Sequence, residues 1–456
     1  MSIPVKHLKS ALGSEVTRRT LFKMGLAATG AGLLSRSLPT AWATDGRPPI
    51  GTYPAGIQGS TVFIGGVMPL TGPYSDSGKD MQRGLELAVE HLNQGSRVTE
   101  HIPTLSRSRG VLDKQLEFEI ADSETKPDPA VQAATRFIRD RKAIMLTGGV
   151  SSAVSIALEK LAQRERVVFM VGNSGSNDTT GKDCQRYGFR SQLSAYMAAK
   201  GLAPVLAKEL GKARKAAYLV PDYTYGHSVY DSMTEFTGAE GWTTVSEQLA
   251  PLGTTDFSPL LLNIANSGAD VFVNVAFGAD AVTSTKQAEQ FGILKKMRYV
   301  VPNISQFQAK EVGPEIMGGT YGTQAWWWTE ENAYPLAKFF VQDFEKKYGY
   351  KPRWGASEIY VQLLIWADAV QRAGSFYPPD VIKQLESEHK VDSIYGEVWY
   401  RKGDHQLVRP VPVMVGKKPQ EMKGKEDYFQ ILELVPGEKT LPPLDKFGCH
   451  LGSYGV

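Results

Sequence analysis

Long apolar runs, cysteine and clustered histidine are all scarce in this chain of 456 residues. Beyond the first 60 residues no apolar run approaches the roughly 20 residues that a membrane-spanning helix needs. Only two cysteines occur, Cys184 in TTGKDCQRYG and Cys449 in KFGCHLGSYG. The seven histidines never share a metal-ligand spacing with Cys, Asp or Glu, so no metal site is implied. Charge of one sign is missing too: 51 Lys and Arg against 48 Asp and Glu leave +3. No basic tract is interleaved with aromatics, which argues against a nucleic-acid partner. The glycine signatures of nucleotide chemistry are absent: no G-x-G-x-x-G follows the first strand-like run, and no phosphate loop occurs. In GGVSSA, Ala153 stands where a nucleophile elbow requires glycine. His227, near Asp222, reads as a solvated side chain rather than a general base.

What is present begins at residues 17 to 32, TRRTLFKMGLAATGAG. Arg18, Arg19 and Lys23 precede an apolar stretch, Met24 to Leu34, that is too short to span a bilayer. The small-residue site Ala41-Trp42-Ala43 follows. These parts compose a secretory signal cut after Ala43, and the arginine pair makes it similar to a twin-arginine signal, whose translocase exports folded proteins. The mature chain of about 410 residues suits two domains. Its net charge is near zero once the basic leader is removed. Residues 44–59, rich in Gly and Pro, read as a linker. In an exported protein two lone cysteines more often pair than stay free. A Cys184–Cys449 bond would tie the tail to the first half of the chain; two unpaired thiols are the alternative.

After the linker, short β-branched runs alternate with amphipathic helical stretches. Expected strands cover 61–69, 115–123, 142–149, 166–172, 216–222, 243–250, 270–278 and 298–304. Helices are expected over 80–92, from Asp128 as cap to about 141, and over 151–164, 195–210, 226–240 and 280–291. This α/β rhythm predicts two doubly wound parallel-sheet lobes. An eight-fold barrel competes, but the strand-rich text after 393 has no place in one. In open parallel sheets ligands lie beyond the carboxyl ends of strands, near helix N-termini. That rule selects the loops PLTGPYSDSG with Tyr74, GGVSSA with Ser151 and Ser152, NSGSND with Asn173, Ser174 and Gly175, and PDYTYGHS with Tyr223. It also selects AFGAD with Phe277 and Asp280, and PNIS with Asn303. In WWW (326–328) a ring lining a ligand pocket competes with packing at a lobe crossing.

The order of these segments resembles the leucine/isoleucine/valine-type periplasmic solute-binding proteins of ABC importers. The likeness rests on PLTGPYSDSGKDMQRGLELAVEHLN, IADSETKPDPAVQAATRFI, GGVSSAVSIALEKLA, VVFMVGNSGSNDTT, YLVPDYTYGHSVYDSM and ANSGADVFVNVAFGADAVTSTKQAEQFGI. It implies a type I periplasmic-binding-protein fold with a three-crossover hinge. Lobe one would span 60–191 and 326–392, lobe two 192–325 and 393–435, and the tail 436–456 would return to lobe one. It also implies a monomer without cofactor or turnover, located in the periplasm and handing a small solute to membrane permease subunits. Ser152 falls on the family's carboxylate-binding serine, while Asn173 and Gly175 fall where the grip on carboxylate and amine is completed. Three positions depart from the family pattern: Phe277 replaces a tyrosine, Asn303 a carboxylate and Gly175 a threonine. A buried ammonium wants a negative partner that Asn303 does not supply, so Asp222 or Asp280 would have to substitute. The expected solute is therefore acidic or amide-headed with an apolar or aromatic body. A ligand sensor of the same fold and, less favoured, an exported enzyme are the competing readings.

Overall fold

The computed structural model describes residues 59–454. The expected signal peptide, most of the linker and the last two residues lie outside the described residues.

The first lobe is built on β1 (Thr61–Met68), β2 (Gln115–Asp122), β3 (Met145–Gly148), β4 (Val168–Val171) and β5 (Gly188–Arg190). They pair in the order β2-β1-β3-β4-β5, all parallel. Central β1 reads TVFIGGVM and is buried along all but its first residue, as a strand covered on both faces must be. The edge strand β2 keeps its glutamates half in water.

The second lobe carries β6 (Lys215–Pro221), β7 (Thr243–Ala250), β8 (Val271–Asn274), β9 (Arg298–Asn303) and β10 (Tyr321–Thr323). These five are parallel; Val411–Gly416 and Phe429–Val435 extend the sheet antiparallel beyond β10. Two separate open sheets exclude the barrel.

Three expectations shift. The strand expected over 270–278 stops at Asn274, because the helix Gly278–Gln290 starts at Gly278. Lys126, not Asp128, precedes the second helix; Pro127 opens it and Asp128 sits in its first turn, where a negative charge suits the helix dipole. Residues 393–408, expected in lobe two, do not join that sheet. They form a separate antiparallel sheet of β11 (Val391–Ser393), β12 (Gly396–Tyr400) and β13 (Leu407–Val408). A parallel bridge from Arg190 to Gln406 holds it beside β5. The chain enters the larger sheet only at Val411, as β14 (Val411–Gly416), followed by β15 (Phe429–Val435). Strand-rich text announced strands, but not which sheet they would join.

The chain passes between the sheets at 190–195, 323–328 and 408–411. Buried Arg409 touches all three passages. Its Nη1 donates to the Glu358 carboxylate and to Ser191 O at 3.4 Å, its Nη2 donates to Ala325 O, and its guanidinium lies 3.6 Å from the Tyr395 ring centroid. Burial works against the charge on Arg409, yet Glu358 overcomes it and the pKa is raised. The tryptophan run belongs to the middle passage. Trp326 packs on Phe340 in the first lobe's core and Trp327 on Phe429 in the second's. Extended backbone at Trp327 turns adjacent side chains to opposite sides, so each lobe receives one ring. Packing, not a ligand pocket, accounts for them.

Cys184 and Cys449 form a disulfide across 265 residues. The tail is held further where Arg186 Nη2 donates to Gly452 O at 2.6 Å and Tyr187 Oη to Tyr454 O at 3.1 Å.

Arg409→Met should leave Glu358 charged and unpaired in a dry junction, lowering unfolding free energy by about 3–5 kcal/mol. Urea denaturation of this variant and of Arg409→Met/Glu358→Leu checks it: the double variant should recover much of the loss.

Candidate functional site

The turn after β3 and the turn after β4 are stitched into one unit. Ser151 occupies the N-cap of the helix Ser152–Glu165 in extended conformation, but its hydroxyl makes no capping bond. Ser152 instead looks outward to the next turn. Its Oγ accepts from Ser174 Oγ at 3.1 Å and from the Ser176 N–H at 3.2 Å. Ser174 also meets Thr179 Oγ1 at 2.8 Å, and Asn173 N donates to Gly149 O at 2.8 Å. The Asn173 side chain stands apart from this network. It is buried, yet neither Oδ1 nor Nδ2 has a protein partner. Such an orphaned amide costs about 1–3 kcal/mol unless something else satisfies it.

The facing wall comes from the second lobe. Tyr223 is the N-cap residue of the helix Thr224–Ala239, and its Oη lies 2.6 Å from Tyr74 Oη, which belongs to the N-cap residue of Ser75–Gln94. Burial raises the pKa of both hydroxyls, so the pair stays neutral. Phe277, N-cap of Gly278–Gln290, places its ring 5.3 Å from Tyr74 and 5.7 Å from Trp354. Gly278 allows this approach: at φ +62°, a β-carbon there would lie 2.5 Å from Pro73 O. Hydroxyls close the seam lower down. Ser176 Oγ meets Thr224 Oγ1 at 2.8 Å and Ser228 Oγ at 2.9 Å, while Asn177 Nδ2 donates to Ser232 Oγ at 3.0 Å.

Two cavities lie along this seam. The first lies among Gly175, Leu193, Tyr225, Met233, Asn303 and Thr323. Here glycine at 175 has a spatial reason: a β-carbon would stand 3.0 Å from Tyr225 Cε2, so a threonine would collide with that ring. The second, narrow one is lined by Tyr74, Asp76, Asp80, Phe277, Gln306 and Arg353. Arg353 Nη1 donates to both oxygens of Asp76, at 2.6 and 2.7 Å. Asp80 is 3 % exposed and accepts from Ala356 N at 2.7 Å and Tyr350 Oη at 3.3 Å. Burial pushes its pKa up to about 6 against the pull of the Arg353 charge.

The expected residues therefore divide. Tyr74 and Phe277 line the second cavity and Gly175 and Asn303 the first, with Tyr223 joined to Tyr74. Ser151, Ser152, Asn173 and Ser174 are buried and line neither cavity. Asp222 is exposed and pairs with His227 at 3.1 Å, while Asp280 accepts from Gly253 N at 2.8 Å. Neither lines a cavity, although Asp280 is buried close enough for its charge to act on the Tyr74 and Tyr223 hydroxyls. The carboxylates that line the second cavity are Asp76 and Asp80. Asp76 stands in the loop PLTGPYSDSG already singled out, and Asp80 at the start of the helix expected over 80–92. Arg353 and Gln306 carried no local signal.

Asp80 titrates higher in the fold than in the unfolded chain, so the native state holds an extra proton between about pH 4 and 6. The contribution of Asp80 to stability should fall as pH rises through that window, by about 3 kcal/mol in all. Asp80→Asn should lack that fall, as urea unfolding at pH 4 and pH 7 would show. A double-mutant cycle of Tyr74→Phe and Tyr223→Phe should give a coupling of about 1 kcal/mol across the lobes. Chemical denaturation of the four proteins measures it.

Residues 61–421 match the model of a family described as periplasmic binding protein. The Leu/Ile/Val-binding protein homolog 8 of Brucella abortus is 26% identical over 339 residues, covering 72% of this chain and 80% of that protein. The crystal structure of a periplasmic binding protein from Burkholderia mallei superposes with a TM-score of 0.78 at 25% identity, over 86% of this chain and 100% of that one. A solute-binding protein of an ABC transporter from Rhodopseudomonas palustris BisB5, in complex with 3,4-dihydroxybenzoic acid, gives 0.71 at 19% identity over 82% and 96%. Among the described residues no helix is long and apolar enough to cross a membrane. The chain belongs to the periplasmic binding protein family: it has the type I fold of an extracytoplasmic solute-binding protein of the ABC-transporter type.

Proposed function

We propose that the cleft captures a small solute with a carboxylate or amide head and an apolar or aromatic body, and that closure presents it to the permease subunits of an ABC importer. The observation that carries this reading is the buried Asn173 amide. It lies beside the Ser152–Ser174 turn with both polar atoms unspent. An acidic or amide head has the acceptors and donors to satisfy it. Four helix N-caps, Tyr74, Tyr223, Phe277 and Arg353, meet at the seam, and helix starts favour negative charge or carbonyl oxygen. The rings of Tyr74, Phe277 and Trp354 offer an apolar body stacking faces.

An α-ammonium is poorly served. Asn303 is neutral, Asp76 is taken by Arg353, and burial draws Asp80 toward its neutral form. One relative is named for leucine, isoleucine and valine, and one structural neighbour holds an aromatic acid. Given the departures at Gly175, Phe277 and Asn303, the aromatic-acid side of that range is the better match.

Solute touching both walls favours the closed arrangement by its differential affinity, and the permease reads that arrangement. The chain performs this as a monomer after twin-arginine export, and releases its guest unaltered. A thermal-shift screen of amino acids, carboxamides and aromatic acids should find a solute that raises the midpoint, and mass analysis of that solute should show no product. Asn173→Ala and Ser152→Ala should each weaken its binding by about tenfold or more, on the order of 1–3 kcal/mol. Wild-type affinity in both variants would remove the site.

A further inference from the structure

The second cavity has a polarity that a carboxylate-binding turn does not explain. Two buried N–H donors around it have no protein acceptor, Arg353 Nε and Gln306 Nε2. They come from opposite lobes. Arg353 precedes the helix Trp354–Ala373, which packs on Ser75–Gln94 of the first lobe, and Gln306 follows β9 of the second. Gln306 is 2 % exposed, so water does not readily satisfy it. The same cavity holds two carboxylates. Asp76 is committed to Arg353 Nη1, whereas Asp80 has lone pairs beyond its bonds from Ala356 and Tyr350. Gly355 keeps that oxygen open, for a β-carbon there would lie 3.0 Å from Asp80 Oδ2 and 3.3 Å from Asn173 Nδ2.

These partners sort the chemistry of an occupant. A carboxylate brings acceptors for the two donors, but also a further negative charge beside Asp76 and Asp80. An ammonium or guanidinium suits the carboxylates and leaves Arg353 Nε and Gln306 Nε2 unmatched, at the full cost of buried donors. A group with both a carbonyl oxygen and an N–H, and no net charge, answers every partner. We infer that this cavity is a subsite for an uncharged carboxamide or urea-type group of the solute, its C=O accepting from Gln306 Nε2 and Arg353 Nε and its N–H donating to Asp80. The inference rests on the solute-binding reading above and adds to it what the far end of the solute must carry. Because the two donors belong to different lobes, the same carbonyl would tie the lobes together. The subsite would thus couple recognition to closure.

Calorimetric titration with two matched series tests this: 4-carbamoylbenzoate, terephthalate and 4-isopropylbenzoate; and glutamine, glutamate and norleucine. In the series that binds, the amide member should bind at least tenfold more tightly than its carboxylate and apolar partners. Gln306→Leu should erase that advantage while leaving the apolar member's affinity within about twofold. Gln306→Glu, of the same shape, serves where the leucine variant fails to fold, and it too should lose the advantage. An apolar or carboxylate member that binds as tightly as the amide overturns the subsite and leaves solute capture standing. So does an amide advantage that survives Gln306→Glu. Binding by no member of either series overturns both.

Discussion

Three separate passages of the chain between the lobes are gathered by one buried guanidinium. Arg409 belongs to the third passage and reaches the carbonyls of Ser191 in the first and Ala325 in the second, with Glu358 as its counter-charge and Tyr395 beneath it. A charge in such a place is tolerable only when paired and hydrogen-bonded. The guanidinium's Nε alone lacks a protein partner, and slippage of any one passage would break a further bond. The middle passage adds an apolar lock, with Trp326 in one core and Trp327 in the other. A junction held this way keeps the three passages in register.

The cleft inherits its chemistry from the parallel sheets. Parallel strands put all their carboxyl ends on one edge, and each is followed by a helix start with free N–H groups. Two such edges facing each other bring Tyr74, Tyr223, Phe277 and Arg353 together, every one an N-cap residue. The seam between them is narrow and rich in hydroxyls. Serine and threonine bonds such as Ser176–Thr224 are easily exchanged for water, which suits the closure proposed above.

The departures from the leucine/isoleucine/valine pattern are mutually consistent. Loss of a side chain at Gly175 is matched by the Tyr225 ring filling the space. Of the two residues that would have to substitute for the acidic residue at Asn303, Asp222 is exposed and Asp280 accepts from the Gly253 N–H. Negative charge enters the cleft instead through Asp76 and Asp80, and Arg353 accompanies it. On the function proposed above, this makes a hydrogen-bonding wall rather than an ammonium cage.

Alternating runs of period 2 and 3.6 are local properties. They announced the strands and helices, the two-lobe α/β class and the loops at the strand ends, including Tyr74, Phe277, Gly175 and Asn303. Pairing of the two cysteines followed from their number and from export. The partnership of Arg353 with Asp76 did not follow, for 277 residues separate them. Nor did the place of 391–408 beside β5, the division of the tryptophans between two cores, or the role of Arg409. A side chain's neighbours along the chain decide which element it joins. Its partners across a cleft are decided only when both sheets have closed and their edges meet, because burial makes an unpaired polar group costly only there.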